Sequence, residues 1–217
     1  MSACATRPAP PARTVATLPP VAITVLGDSL AYGTGARDTS GGFAFRVYRT
    51  IERQRPGSEI TNTAIGGSTA ADVLRLQVAR LSERPADLVL LCVGGNDVVR
   101  GTSPAAFGAT YRMLVEAILA RAPHASLVAL GVPDISISPL FGDRPALVRA
   151  LANADDRAAR AAVRSAGGRY VDLFAFTHRQ RDPATFLSED RFHPSDAGHA
   201  AIAALVLPVV RTALENK

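Results

Sequence analysis

Hydrophobic positions follow two rhythms along this chain. Five short segments, at 21–26, 59–64, 87–93, 126–130 and 169–173, are apolar with little alternation, and glycines bound them: Gly27, Gly66-Gly67, Gly94-Gly95, Gly131 and Gly167-Gly168. Unbroken apolar runs of that length suit strands buried on both faces of a parallel sheet. Longer segments with helical spacing lie between them, at 43–55, 70–83, 104–121, 145–166 and 195–214. Pro104 and Pro145 sit where a first helical turn tolerates the missing N–H, and Thr69 and Ser103 read as N-caps. Strands alternating with helices predict a three-layer α/β/α sandwich around a mostly five-stranded parallel sheet.

The first twenty residues break this pattern. They hold five of the fifteen prolines and read as an extended linker or tether, leaving residues 21–217 as one domain. The opening Met1-Ser2-Ala3-Cys4-Ala5 resembles the end of a bacterial lipoprotein signal, which offers a lipid-anchor site at Cys4. At 217 residues and 47% hydrophobic content, a core of ordinary size needs no disulfide or metal support. The two cysteines, Cys4 and Cys92, form no C-x-x-C pair, which excludes a zinc ribbon or thioredoxin-type site. No unbroken apolar run reaches membrane-spanning length, and the longest, 200–210, reads as a buried helix.

The net charge of +5 raises a nucleic-acid reading, but the basic residues are scattered among 19 acids, with no basic run and no aromatic platform. Many arginines sit at helical spacing from an acid, such as Asp156 and Arg160. No nucleic-acid partner is expected.

In an open parallel sheet, ligands bind beyond the carboxyl ends of the strands. Three such ends carry unusual chemistry: Gly27-Asp28-Ser29-Leu30, Gly66-Gly67-Ser68 and Gly94-Gly95-Asn96-Asp97. A fourth cluster, Asp190-Arg191-Phe192-His193-Pro194, opens the last helix. A serine needs a base to become a nucleophile, and His193 is the candidate. Asp190, three residues earlier, can fix the tautomer of that imidazole. The backbone N–H groups of Ser29 and Gly67 and the side-chain amide of Asn96 could together receive an oxyanion. The adjacent Gly66 competes with Gly67 for that role. Asp28 and Asp97 read as structural, His199 as packing, and His124 and His178 carry no motif.

These four blocks, in this order from residue 27 to 194, resemble the SGNH hydrolases, the GDSL-type esterases and lipases. The resemblance implies a flavodoxin-like sandwich and cofactor-free, metal-free serine esterase chemistry, with Ser29, His193 and Asp190 as triad. It also implies a secreted, periplasmic or cell-envelope location, with the cytoplasm as the alternative. The expected partner is a small-molecule, lipid or carbohydrate ester of short to medium acyl length. Ile135, Leu140, Phe141 and Phe192 are expected to line its site. An acyltransferase or carbohydrate O-deacetylase would use the same residues. A flavin-binding carrier of flavodoxin type is the reading from another class, and the Asp190/His193 pair has no place in it.

Overall fold

A computed structural model describes residues 18–82, 85–215 and 217. Residues 1–17, with most of the proline-rich segment and Cys4, fall outside that description; residues 18–20 are exposed and irregular. The strands are β1 (Ala22–Gly27), β2 (Glu59–Asn62), β3 (Leu88–Cys92), β4 (Ser126–Leu130) and β5 (Arg169–Val171), all parallel in the order β2-β1-β3-β4-β5. The helices are α1 (Ser29–Tyr32), α2 (Phe43–Gln54), α3 (Ala70–Leu76), α4 (Gly95–Val99), α5 (Pro104–Arg121), α6 (Pro145–Ser165), α7 (Leu173–His178), α8 (Pro183–Phe186) and α9 (Asp196–Ala213).

Alternate residues of the central strands β1, β3 and β4 feed two separate cores. Ile23, Val25, Leu88 and Leu90 pack under α2 and α9 with Phe43, Val47, Ile202 and Val206. Leu26, Val89 and Leu91 pack on the other face with Phe107, Leu114 and Val163 from α5 and α6. Burial on both faces explains why these strands read as continuous apolar runs rather than alternating ones. The three-layer sandwich expected from the sequence is the fold. Helix α9, with a mean hydropathy of 1.2 over 18 residues, is long and apolar enough to cross a membrane by length and composition alone. Its apolar face (Ile202, Val206, Val210) belongs instead to the core.

Two expectations need correction. The helix expected over 70–83 ends at Leu76, and Val78–Ser82 continues as a 3-10 helix. Gln77, at the break, is fully buried and bonds backbone in the sheet instead of prolonging the helical face. The fifth run is strand only as far as Val171, because Asp172 caps α7 by accepting from the Ala175 N–H at 2.9 Å.

The winding direction reverses at β1, so the connections leaving β1 and β3 run to opposite faces of the sheet and leave a crevice. Ser29 follows β1 and Asn96 follows β3.

Candidate active site

Ser29 owes its position to a tight turn. Gly27 adopts φ +150°, and a Cβ there would stand 2.0 Å from the Cys92 carbonyl oxygen, so no other residue fits. Asp28 caps α1 by accepting from the Leu30 N–H at 3.0 Å. Burial pushes the Asp28 carboxyl up to about 7, against the pull of that bond. Asp97 does the same work at the neighbouring strand end, accepting from the Ala70 N–H at 3.0 Å, and burial pushes it up to about 6. Both hold loops together, as the sequence suggested.

Above this turn three side chains form a relay. The Ser29 hydroxyl lies 2.8 Å from His193 Nε2, and His193 Nδ1 lies 2.6 Å from Asp190 Oδ2. An ionised carboxylate only accepts, so Nδ1 carries the imidazole proton and the Nε2 lone pair faces the serine. Asp190 also accepts from the backbone N–H groups of Phe192 and His193 at 2.8 and 2.9 Å and from the Ser188 hydroxyl at 2.8 Å. Partial burial opposes its charge, but the imidazole and these donors prevail and hold the carboxyl well below the usual range. Arg191, between them, has φ +60°, the one positive φ outside glycine among the described residues. The Ser138 hydroxyl donates to its carbonyl at 2.7 Å and fixes that turn.

Among the described residues, no acceptor meets the N–H of Ser29 or of Gly67. A Cβ at Gly66 would stand 3.9 Å from the Ser29 Cβ, so the Gly66–Gly67 peptide lies beside the serine; at Gly67 (φ +79°) the nearest atom is Arg100 Nη2. That guanidinium donates to the Gly67 carbonyl at 2.7 Å and so holds the outer side of the turn. Asn96 donates one amide hydrogen to the Ser68 carbonyl at 3.1 Å, which leaves the other to serve the crevice.

A narrow cavity of about 60 Å³ opens beside Ser29, Asn96 and His193. Its deeper walls are apolar, from Ile135, Ile137, Phe186, Leu187 and Ile202. Of the four side chains expected to meet substrate, Ile135 and Phe192 line this cavity, while Leu140 and Phe141 do not. Ser138 caps a second 3-10 turn there, which leaves Leu140 half exposed on the outside. Phe141 packs edge-on behind Phe192 at 6.2 Å.

Three other polar groups act on this site from behind it. Gln77 accepts from the Gly27 N–H and donates to the Gly27 carbonyl, both at 2.8 Å. A polar residue on the face that carries Val73 was the sequence signal for it. His199 is more than packing: its Nδ1 accepts from the Phe43 N–H at 3.2 Å and its Nε2 donates to the Thr34 carbonyl at 2.9 Å. Burial lowers its pKa and keeps it neutral, so it ties the helix after His193 to the loop after Ser29. His178 meets the buried Asp134 at 2.8 Å beneath the cavity wall. No motif marked that pair, because its members lie 44 residues apart.

A serine, an imidazole and a carboxylate in hydrogen-bonded series, beside free N–H donors, are the arrangement that a nucleophile with its base and an anion receptor requires. Residues 25–201 match the model of the GDSL-like lipase/acylhydrolase family, and the chain belongs to it. Esterase TesA of Pseudomonas aeruginosa is 32% identical over 120 residues, which cover 55% of this chain and 57% of that protein. A GDSL-like esterase of Mycobacterium tuberculosis is 28% identical over 207 residues, 91% of this chain and 64% of that protein. The chain thus spans under two thirds of the length of these two relatives. Lipase 2 of Streptomyces coelicolor is 31% identical, covering 78% of this chain and 74% of the lipase. The crystal structure of TesA superposes with a TM-score of 0.73 at 24% identity, covering 89% and 99% of the two chains. An acetylxylan esterase from Geobacillus stearothermophilus gives 0.70 at 20% identity over 88% and 94%. Both structures share the fold.

Proposed function

We propose that this protein is a serine esterase acting on carboxylic esters of short to medium acyl chains. The observation that carries the reading is the Ser29–His193–Asp190 series, at 2.8 and 2.6 Å, standing at the mouth of an apolar cavity. Ser29 Oγ attacks the ester carbonyl as its proton passes to His193 Nε2. Asp190 stays charged and stabilises the imidazolium. The N–H groups of Ser29 and Gly67 and the Asn96 amide receive the oxyanion. Collapse breaks the C–O bond to the alcohol, which leaves with the proton from Nε2. Water then gives its proton to the same nitrogen and attacks the acyl-serine, releasing the acid and restoring Ser29.

Acyl length follows from room. The cavity beside Ser29 is small, about 60 Å³, which favours the short end of the acyl range. Acetylated carbohydrates fall inside the same range, and the acetylxylan esterase of similar fold makes O-deacetylation the variant to include.

Hydrolysis of p-nitrophenyl esters from acetyl to palmitoyl by wild type and Ser29→Ala tests the reading. We expect activity highest at short chains and lost in Ser29→Ala. A wild type inert to every ester in the series, or a Ser29→Ala protein as active as wild type, overturns it.

A further inference from the structure

A second apolar groove, of about 470 Å³, lies on the outer side of the cavity wall. Pro139, Pro183, Ala184 and Arg191 line it, and Pro139, Ala184 and Arg191 are exposed, so it opens to solvent. Two residues, Ile137 and Leu187, belong to the walls of both this groove and the cavity beside Ser29. They come from different elements. Ile137 ends the 3-10 turn after β4, and Leu187 follows α8 and pairs with Pro194, the residue next to His193. Leu187 is 7% exposed and packs in the core, whereas Ile137 is only partly buried.

We infer that Ile137 and Leu187 form a partition that sets the acyl-length limit, and that the groove behind it is the continuation an acyl chain would occupy once the partition opens. The inference rests on the esterase reading and adds its specificity determinant. The occupant is the distal part of the acyl chain of an ester held at Ser29. Three features of the molecule favour it. The groove abuts the acyl cavity through a wall of two side chains. It is apolar, and it has an open end through which the tip of a long chain can emerge beside the Arg191 stem. With the wall closed, each methylene beyond the enclosed space must stay in water. With it open, each is buried at a gain of about fourfold in binding.

The test compares kcat/KM for butanoyl, octanoyl and dodecanoyl p-nitrophenyl esters, kept monomeric, across wild type, Ile137→Ala and Ile137→Phe. Ile137 is the site to vary because Leu187 is core, and its truncation risks the fold. In Ile137→Ala we expect the dodecanoyl-to-butanoyl ratio to rise at least tenfold, mostly through KM. In Ile137→Phe, which thickens the wall, the octanoyl-to-butanoyl ratio should fall. Circular dichroism and a melting curve establish that each variant is folded. An active wild type with a chain-length profile that Ile137→Ala leaves unchanged overturns the partition and leaves the esterase reading standing. So does a profile shifted instead by Phe141→Ala, which would route the chain along the other rim. A wild type inert to all three esters overturns both.

Discussion

Replacing Gln77 with leucine should damage this protein out of proportion to the size of the change. The side chain is fully buried in a break between two helical segments, and its amide takes both backbone groups of Gly27 at 2.8 Å. The two bonds are not equivalent. The Gly27 carbonyl keeps a second donor, the Ile65 N–H at 3.1 Å, whereas the Gly27 N–H has no acceptor besides Gln77 among the described residues. Leucine therefore leaves one buried donor orphaned, at about 1–3 kcal/mol, and removes a second bond worth about 1 kcal/mol. The sum, about 2–4 kcal/mol, is a large part of the ~5–15 kcal/mol that holds a domain together.

Activity should fall further than stability alone implies. Gly27 is two residues before Ser29, and its unusual φ is what turns the serine out over the sheet. Misplacement of a reacting group by about 1 Å can cost about 100-fold. Urea denaturation should give a lower midpoint at unchanged slope, and ester turnover under native conditions should drop at least tenfold in kcat with little change in KM. A Gln77→Leu protein within 0.5 kcal/mol of wild type and with full kcat would refute the role assigned to this amide.

Asn96→Ala should lower kcat by roughly 10²–10³ with the fold intact, checked by steady-state kinetics and melting temperature. Asp155 is fully buried, neither of its oxygens is paired among the described residues, and burial pushes it up to about 7 from 3.8. Its contribution to stability is full below pH 4 and lost as pH rises towards 7, so Asp155→Asn should stabilise the protein at pH 8, by on the order of 2–4 kcal/mol, and leave it unchanged at pH 4. Arg55 is buried and donates to the main-chain oxygens of Pro19, Leu214 and Lys217 at the end of the sheet away from the site. Arg55→Met should cost about 2–3 kcal/mol in denaturant melts without altering kcat.

The layers of the fold were legible because the central strands β1, β3 and β4 are buried on both faces and their runs stop at glycines the geometry requires. Gly27 and Gly94 show why: at both, a Cβ would meet neighbouring atoms at 2.0 and 2.6 Å, with φ positive. The chemistry at the strand ends was legible for a related reason. Ser29, Asn96 and the Asp190–His193 turn sit in short local signatures, where the candidate reactive residue and the residues that shape its turn adjoin in sequence. The sequence offered less about α1, α4 and α8, with four or five residues each, which are too short to show a helical period.

What stayed hidden has a common cause, and it bears on how specificity arises here. The cavity beside Ser29 is walled by Ile135, Ile137, Phe186, Leu187 and Ile202, from three separate stretches of chain; Ile135 was expected there, whereas Leu187 and Ile202 carry no sign of that role in the sequence. Leu140 and Phe141 were the natural choices from an apolar rim segment, yet one 3-10 turn ending at Ile137 and another capped by Ser138 divide that segment between cavity and surface. The candidate reacting groups are thus placed by local motifs, and the space beside them is set by tertiary packing between β4, α8 and α9. Substitutions at these packing positions can therefore change which ester is accepted without touching the Ser29–His193–Asp190 series. The chemistry is tied to a few signatures, and the substrate range is as free to vary as any well-packed core.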